Sequence, residues 1–307
     1  MSYDQIRLDK HEGIALLTLY RPEKMNAFTA DMMAEIIAAL DDCDADDGVR
    51  AVIFTGHGEK AYCAGADLGG GGDTFDYDKR ADKLGQLPPG VSKSPVAEDG
   101  TINWSHPLVQ DGGGRVTMRI FAAKKPVLGA INGAAVGIGA TMTLPMDARL
   151  ASETARYGFV FARRGIVPEA ASSWFLPRLI GIANAVDLCY SGRLISAAEA
   201  HEKGLVQSVH APGALIDAAI AKAREMTADS APVSVALTRH MLWRMLGAPH
   251  PIHAHRWDSR VIFSRGRSPD AVEGVMSFLE KRPPNFTASV ANDYPWFDEF
   301  EDTPPYS

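Results

Sequence analysis

The chain has 307 residues and 46% hydrophobic content, enough for one large core or a core with an appendage. Its net charge of −7 comes without a Lys/Arg stripe, which argues against a nucleic-acid partner. The opening MSYDQIRLDK is charged and has no apolar run, and the cysteines (Cys43, Cys63 and Cys189) are sparse and lack metal spacing; this predicts no signal peptide, reduced thiols and a cytoplasmic protein.

Residues 6–8 and 14–19 read as paired strands turned by His11-Glu12-Gly13. The loop RPEKMNAF (21–28) follows. Thr29 is a predicted N-cap, and Met32, Met33, Ile36, Ile37 and Leu40 mark one face of an amphipathic helix. RAVIFT (50–55) is a short buried strand, and Gly56-His57-Gly58 turns the chain. In AYCAGADL (61–68) the small residues 64–66 permit close approach of the backbone to a ligand. Residues 69–115 open on four glycines and are rich in Gly, Pro, Asp and Ser, a length that marks a functional or mobile loop. A short amphipathic helix is predicted over 116–123.

The stretch PVLGAINGAAVGIGATMTLPM (126–146) carries no charge. Its opening reads as a buried strand; after Gly133, Gly137 and Gly139 its Ala, Thr, Met and Leu read as a buried helix. A strand that turns through glycines into a helix presents N–H groups at an electropositive end, ready for an oxygen anion. Other readings of this stretch exist. Gly129, Gly133 and Gly137 are spaced as in a packed membrane helix, against which stand Pro126, Pro145 and the poor helix propensity of glycine. A dinucleotide loop fails because Met142 stands at the third glycine position. A core strand and helix without chemistry is the third.

Further on, 147–151 and 155–157 alternate like strands. Residues 163–173 turn into a helix holding Trp174, Phe175, Leu176, Leu179 and Ile180, and Gly181 stops it. Helices are predicted at 183–191, 196–203, 213–227, 231–247, 253–264 and 268–281, with a strand at 206–209. Residues 286–307 are acidic and aromatic without periodicity. The pattern is α/β first and nearly all helix after about residue 210.

Taken together, these segments resemble the crotonase superfamily, the enoyl-CoA hydratase/isomerase family. The similarity covers most of residues 3–285. It rests on RPEKMNAF, AYCAGADL, KKPVLGAINGAAVGIGATM (124–142), YGFVFARRGIVPEAASSWFLPRLIG (157–181), YSGRLISAAEAHEKGLVQSV (190–209) and SPDAVEGVMSFLEKRPPNF (268–286), in that order. The resemblance implies an α/β crotonase-like spiral of ββα units over 1–209, with 69–115 inserted near the acyl pocket. It implies a C-terminal helical trimerisation region over 210–285, followed by an acidic aromatic tail over 286–307. The implied partners are an acyl-CoA substrate and identical chains in a homotrimer or hexamer, with no nucleic acid and no membrane. No cofactor is implied beyond the coenzyme A that the substrate carries, and no metal.

By position, the resemblance makes the N–H groups of Ala66 and Ile138 an oxyanion hole, with Gly137 beside it. It places the adenine and pantetheine along Lys24, Ala27, Ala64, Asp67 and Leu68. Phe278 and Lys281 resemble residues that touch the CoA of a neighbouring subunit. The chemistry is consistent: removing a proton beside a thioester, or adding a nucleophile to an unsaturated one, puts negative charge on the carbonyl oxygen, where one backbone donor is worth about 3–4 kcal/mol.

The side chains around the hole depart from the hydratase pattern. A hydratase of this family uses two glutamates, and those positions hold Thr141 and Phe161, neither of which is a general base. Glu169 resembles the single glutamate of Δ3,Δ2-enoyl-CoA isomerases, which share PE followed by small residues; one carboxylate suffices to take a proton from C2 and return it at C4. Read without the resemblance, Glu169 is an exposed glutamate in a first helical turn, favoured by the dipole. The favoured reading is therefore a single-carboxylate enoyl-CoA isomerase. The alternatives are a hydratase whose second acid comes from Asp73, Asp76, Asp78, Glu98, Asp99 or Asp111, and a CoA-binding or assembly protein without catalysis. Ser172 and Ser173 lack recognisable His and Asp partners. His250, His253 and His255 read as a helix entry, with Trp257 one turn beyond His253. Arg163 and Arg164 are either surface or pocket-rim charges. Residues 69–115 are expected to cover the acyl pocket, with 69–72 as a hinge, and Tyr294, Trp296 and Phe297 to pack on a neighbouring chain.

Overall fold

The structure is a computed structural model that describes residues 3–76 and 91–295 together with Pro304 and Tyr306. Asp78, Trp296 and Phe297 lie outside the described residues. The first hairpin joins β1 (Ile6–His11) to β2 (Ile14–Leu19), pairing Ile6 with Leu19 and His11 with Ile14. Its two-residue turn has positive φ at both Glu12 (47°) and Gly13 (82°), the twist-matching turn of tight hairpins. β1 runs three residues beyond its apolar start because it is an edge strand, where Asp9 and Lys10 face water.

The chain then repeats one move. Each of three segments lays a strand in a six-stranded sheet and, after a short turn, a second strand in a four-stranded one. The pairs are β3 (Ala51–Gly56) with β4 (Ala61–Cys63), β5 (Val127–Ile131) with β6 (Ala134–Val136), and β7 (Ala148–Ser152) with β8 (Arg156–Gly158). Pairing between successive turns is parallel in both sheets. β9 (Leu194–Ser196) and β10 (Ser208–His210) close the two sheets. Stacking this close requires glycine: a Cβ on Gly133 would stand 2.7 Å from Ala61 N, and one on Gly139 2.1 Å from Cys63 O.

β3, β5 and β7 are buried along their whole length, which explains the mostly apolar sequence of β3 and β5; β7 buries Arg149 among its small and apolar residues. One face of the large sheet is covered by α7 (Leu215–Thr227), whose Leu215, Ala219 and Ala223 meet Ile53, Ala130 and Leu150. The other faces the main core. There α1 (Ala30–Ala45) buries Met32, Met33, Ile36 and Leu40, and Thr29 accepts from Met32 N at 3.1 Å.

The stretch 126–146 is neither a membrane span nor a long helix. It divides into β5, β6 and a four-residue helix, α3 (Ile138–Thr141), followed by tight turns back into β7. Buried Arg149 gathers the carbonyls of those turns, donating to Thr143, Leu144 and Met146. The helix predicted at 116–123 is α2 (Gly112–Phe121), four residues early, because Asp111 caps a start made of three glycines. It is followed by α4 (Ser172–Ile180), α5 (Ile182–Ser191), α6 (Ala197–Glu202), α8 (Pro232–Met245), α9 (Pro251–Arg265) and α10 (Pro269–Glu280).

α8 is tied to the core through Arg239, whose Nε lies 2.8 Å from Asp147 and whose other nitrogens donate to carbonyls of Ile120, Phe121 and Ala123. Tyr294, expected on a neighbour, docks on its own chain: its hydroxyl is 2.5 Å from His240 Nδ1 on α8, and Lys124 lies over its ring. No helix among the described residues is long and apolar enough to cross a membrane.

Candidate active site

Three pieces of chain meet at Glu169: the turn that carries it, the start of α2 and the short α3. The turn is unusual. Ala170 and Ala171 follow with φ of 56° and 51°, left-handed values that cost an alanine about 1 kcal/mol each. Glu169 therefore precedes α4 rather than standing in its first turn. The turn is held from both sides. Ser172 N and Oγ both donate to the Glu169 carbonyl, at 3.0 and 2.6 Å. Ala170 N donates to Asp111 Oδ2 at 2.6 Å. The same Asp111 caps α2, accepting from Gly113 N (3.0 Å) and Gly114 N (2.8 Å). One carboxylate thus joins the helix start to the turn.

The Glu169 carboxyl group has two different sides. Oε1 lies 2.5 Å from Thr141 Oγ1 on α3. Oε2 lies against α2, where a Cβ on Gly113 would stand 2.2 Å from it and 2.5 Å from Ile138 Cδ1. Gly113 is the residue that lets α2 approach this closely. Burial pushes the Glu169 carboxyl up to about 8; the Asp111 charge adds to the rise and the Thr141 hydrogen bond opposes it.

The two backbone groups singled out in the sequence come to the same region. Gly137 (φ 55°) turns the chain from β6 into α3, and its N–H is anchored on Gly158 O at 2.9 Å. Ile138 is the first residue of α3, so its N–H has no acceptor within the helix. Ala66 forms a parallel bridge with Phe28 that uses Gly65 O and Asp67 N, leaving the Ala66 N–H out of both bonds. Gly65 lies beside the end of β6: a Cβ on Gly137 would be 3.9 Å from Gly65 Cα, and also 3.9 Å from Phe161 Cε1. Phe161 is buried, and its ring fills the place at this end of the site where a second carboxylate was sought.

The loop residues predicted to hold the long ligand also gather. Arg21 donates to Asp67 at 2.9 Å and to the Ala27 carbonyl at 2.6 Å, while Ala64 N donates to Met25 O at 3.1 Å. Asp67 also accepts from Gly69 N at 2.8 Å, and Lys24 and Arg21 together hold its carboxyl below the ordinary range, after that backbone bond. Leu68 is half exposed at the rim. Phe278 and Lys281 do not join them: they sit at the end of α10, with Phe278 81% exposed, and among the described residues neither bonds to this loop.

Among the described acids of 69–115, Asp111 is the one whose charge reaches Glu169, and three N–H donors already occupy it. Its role as an anchor was legible in sequence only as a cap before glycines. The Ser172 hydroxyl is spent on the Glu169 carbonyl. His250 caps α9, and among the described residues no group of three His, Cys, Asp or Glu side chains is placed to hold a metal. Arg163 is tied to the Ser191 carbonyl at 2.6 Å, away from the Glu169 turn.

The family model described as enoyl-CoA hydratase/isomerase matches residues 9–86 and 107–289. Among curated proteins, the chain is 38% identical over 276 residues to enoyl-CoA hydratase ACTT3 of Alternaria alternata, covering 90% of this chain and 83% of that one. It is 32% identical to the 1,2-epoxyphenylacetyl-CoA isomerase of Escherichia coli K12, covering 90% and 95%. Among solved structures, the enoyl-CoA hydratase of Bacillus anthracis superposes with a TM-score of 0.75 at 29% identity, covering 92% of this chain and 99% of that one. Fold, ordered motifs and relatives agree, and the chain is a member of the enoyl-CoA hydratase/isomerase family.

Proposed function

We propose that the protein moves the carbon–carbon double bond of an enoyl-CoA thioester, with Glu169 as its one acid/base. The observation that carries this reading is the pairing of a raised, half-enclosed Glu169 with Thr141 and buried Phe161 at the positions of the hydratase glutamates. The thioester oxygen accepts from the N–H groups of Ala66 and Ile138. Glu169 takes the C2 proton of a 3-enoyl thioester, and the electron pair spreads through the dienolate onto that oxygen. The same proton returns at C4, the double bond lies between C2 and C3, and the carboxylate is regenerated. A carboxylate with raised proton affinity is the stronger base toward a carbon acid.

In this reading Lys24, Ala27, Ala64, Asp67, Leu68 and Gly137 line the CoA. Phe278 and Lys281 act from a neighbouring chain of a trimer or hexamer, and 69–115 covers the acyl end. The relatives named as hydratases support a second reading, hydration of a 2-enoyl thioester, for which Glu169 would both activate water and deliver the proton to C2.

The test is a panel of 2-enoyl and 3-enoyl thioesters, with products identified by mass and NMR. A moved double bond is expected from 3-enoyl substrates, and Glu169→Gln should lower turnover by about 10²–10⁴-fold with little change in affinity. Near-normal turnover in that variant, or efficient hydration of 2-enoyl thioesters without movement of 3-enoyl double bonds, defeats the isomerase reading.

A further inference from the structure

We propose that Thr141 and Asp111 are positioning residues that assign different tasks to the two oxygens of Glu169: Thr141 holds Oε1 in both protonation states, Asp111 fixes the turn, and Oε2 is the oxygen that exchanges the proton with substrate. The proposal rests on Glu169 being the acid/base.

A lone acid/base must be stable both with and without its proton in each turnover. Thr141 is built for that. Its Oγ1 lies 2.5 Å from Glu169 Oε1 and 3.3 Å from the Gly137 carbonyl oxygen. The hydroxyl has one hydrogen and two acceptor lone pairs. Against the carboxylate, it donates to Oε1. Once Oε2 carries the proton, Oε1 is the carbonyl oxygen of the neutral acid and still accepts from the same hydroxyl, more weakly than the anion did. No heavy atom moves between the two arrangements. Oε1 is thereby occupied in both states, and Oε2, on the side of Gly113 and Ile138, is left for the substrate carbon. Ile138 also supplies the N–H proposed for the thioester oxygen, so the residue whose side chain borders Oε2 carries the oxyanion donor on its backbone.

Asp111 has a different task. Its two oxygens accept from Gly113 N, Gly114 N and Ala170 N, so both are already engaged by backbone donors. Those bonds hold the left-handed pair Ala170-Ala171 and so aim the residue before it. Of the titratable groups packed against Glu169, Asp111 comes from the start of α2 and Cys63 from β4; burial pushes the Cys63 thiol up to about 12, so it stays neutral. The charge and the hydroxyl therefore act on Glu169 in opposite directions.

The experiment is a carboxyl ¹³C NMR titration of the full chain labelled at glutamate, with the Glu169 signal assigned by its loss in Glu169→Gln. Thr141→Val deletes the donor at constant shape and should raise the Glu169 midpoint by about one pH unit or more, while Thr141→Ser restores it. Asp111→Asn deletes the charge and should lower the midpoint. The acid limb of kcat/KM should move with each midpoint. A Thr141→Val midpoint that is unchanged or lowered, or one that Ser leaves uncorrected, overturns the proposal. If Thr141→Val does not fold, Thr141→Ala makes the same deletion without the second methyl and is judged by the same result. The titration needs no turnover. Shifted midpoints in a protein that moves no double bond would refute the isomerase reading and leave the two hydrogen-bonding assignments standing; unshifted midpoints in an active isomerase would do the reverse.

Discussion

Replacing Glu169 by Gln should make the protein more stable at alkaline pH, by an amount that grows with pH. In the unfolded chain the carboxyl group ionises near its ordinary 4.5, and in the folded chain near about 8. Below 4.5 both states hold the proton and the residue makes no pH-dependent contribution. As pH rises from 4.5, the unfolded chain releases the proton and the folded one keeps it, so folding is progressively penalised. The loss is complete above about 8. The full interval corresponds to about 5 kcal/mol as an upper bound. Glu169 is not sealed from solvent, and relaxation around the charge reduces the expected figure to about 2 kcal/mol.

Glutamine keeps the shape and still accepts from Thr141, but never ionises, so the variant escapes the penalty. Thermal melts of both proteins without ligand, from pH 5 to 9, give the answer directly. The difference in Tm, variant minus wild type, should rise by several degrees across that range. A difference that stays flat, or that falls with pH, would show that Glu169 is not the raised carboxyl group that burial and Asp111 make it.

Two further outcomes follow from the packing. Gly113→Ala adds a methyl 2.2 Å from Glu169 Oε2 and 2.5 Å from Ile138 Cδ1 while favouring the helix, so circular dichroism should be unchanged and turnover should fall about 10²-fold; normal turnover would mean that α2 yields to the methyl. α10 leaves Val272, Val275, Phe278 and Leu279 between 59% and 81% exposed, a surface that predicts a trimer or hexamer in sedimentation and dissociation on Phe278→Asp; a wild-type monomer at micromolar concentration would refute it.

The fold was legible where burial wrote itself into composition. β3 and β5 are covered on both faces and read as apolar strands, β7 reads as an alternating one, and α1 announces its inner face with Met32, Met33, Ile36 and Leu40. Elements that exist for close approach were not legible. β6 is Ala134-Ala135-Val136, too short and too small to signal a strand, and β9 is three residues long. α3 was overestimated because the alanines and methionines after Gly139 are equally suited to the tight turns that Arg149 holds. α2 was started late because Gly112, Gly113 and Gly114 argue against a helix until Asp111 is seen capping it.

The site shows the same division more sharply. Local pattern alone makes Glu169 a dipole-favoured residue on a helix; the structure sets it before the helix, on alanines in a conformation that no alanine-containing sequence advertises. Only the partners reveal why it is there. Asp111 is 58 residues earlier in sequence and Thr141 is 28 earlier, yet both bond to the Glu169–Ala170 segment, so the carboxyl group is defined by contacts that no window of sequence contains. The replacement of a second glutamate by Phe161 then has a physical consequence beyond subtraction. A carboxylate there would add a second titrating group to the site, whereas the buried Phe161 ring adds none, and it is the Asp111 charge that adds to the rise at Glu169. Burial and the Asp111 charge raise a single carboxyl group while the Thr141 hydroxyl opposes them, and a group so balanced suits the taking and returning of one proton that the proposed double-bond shift requires.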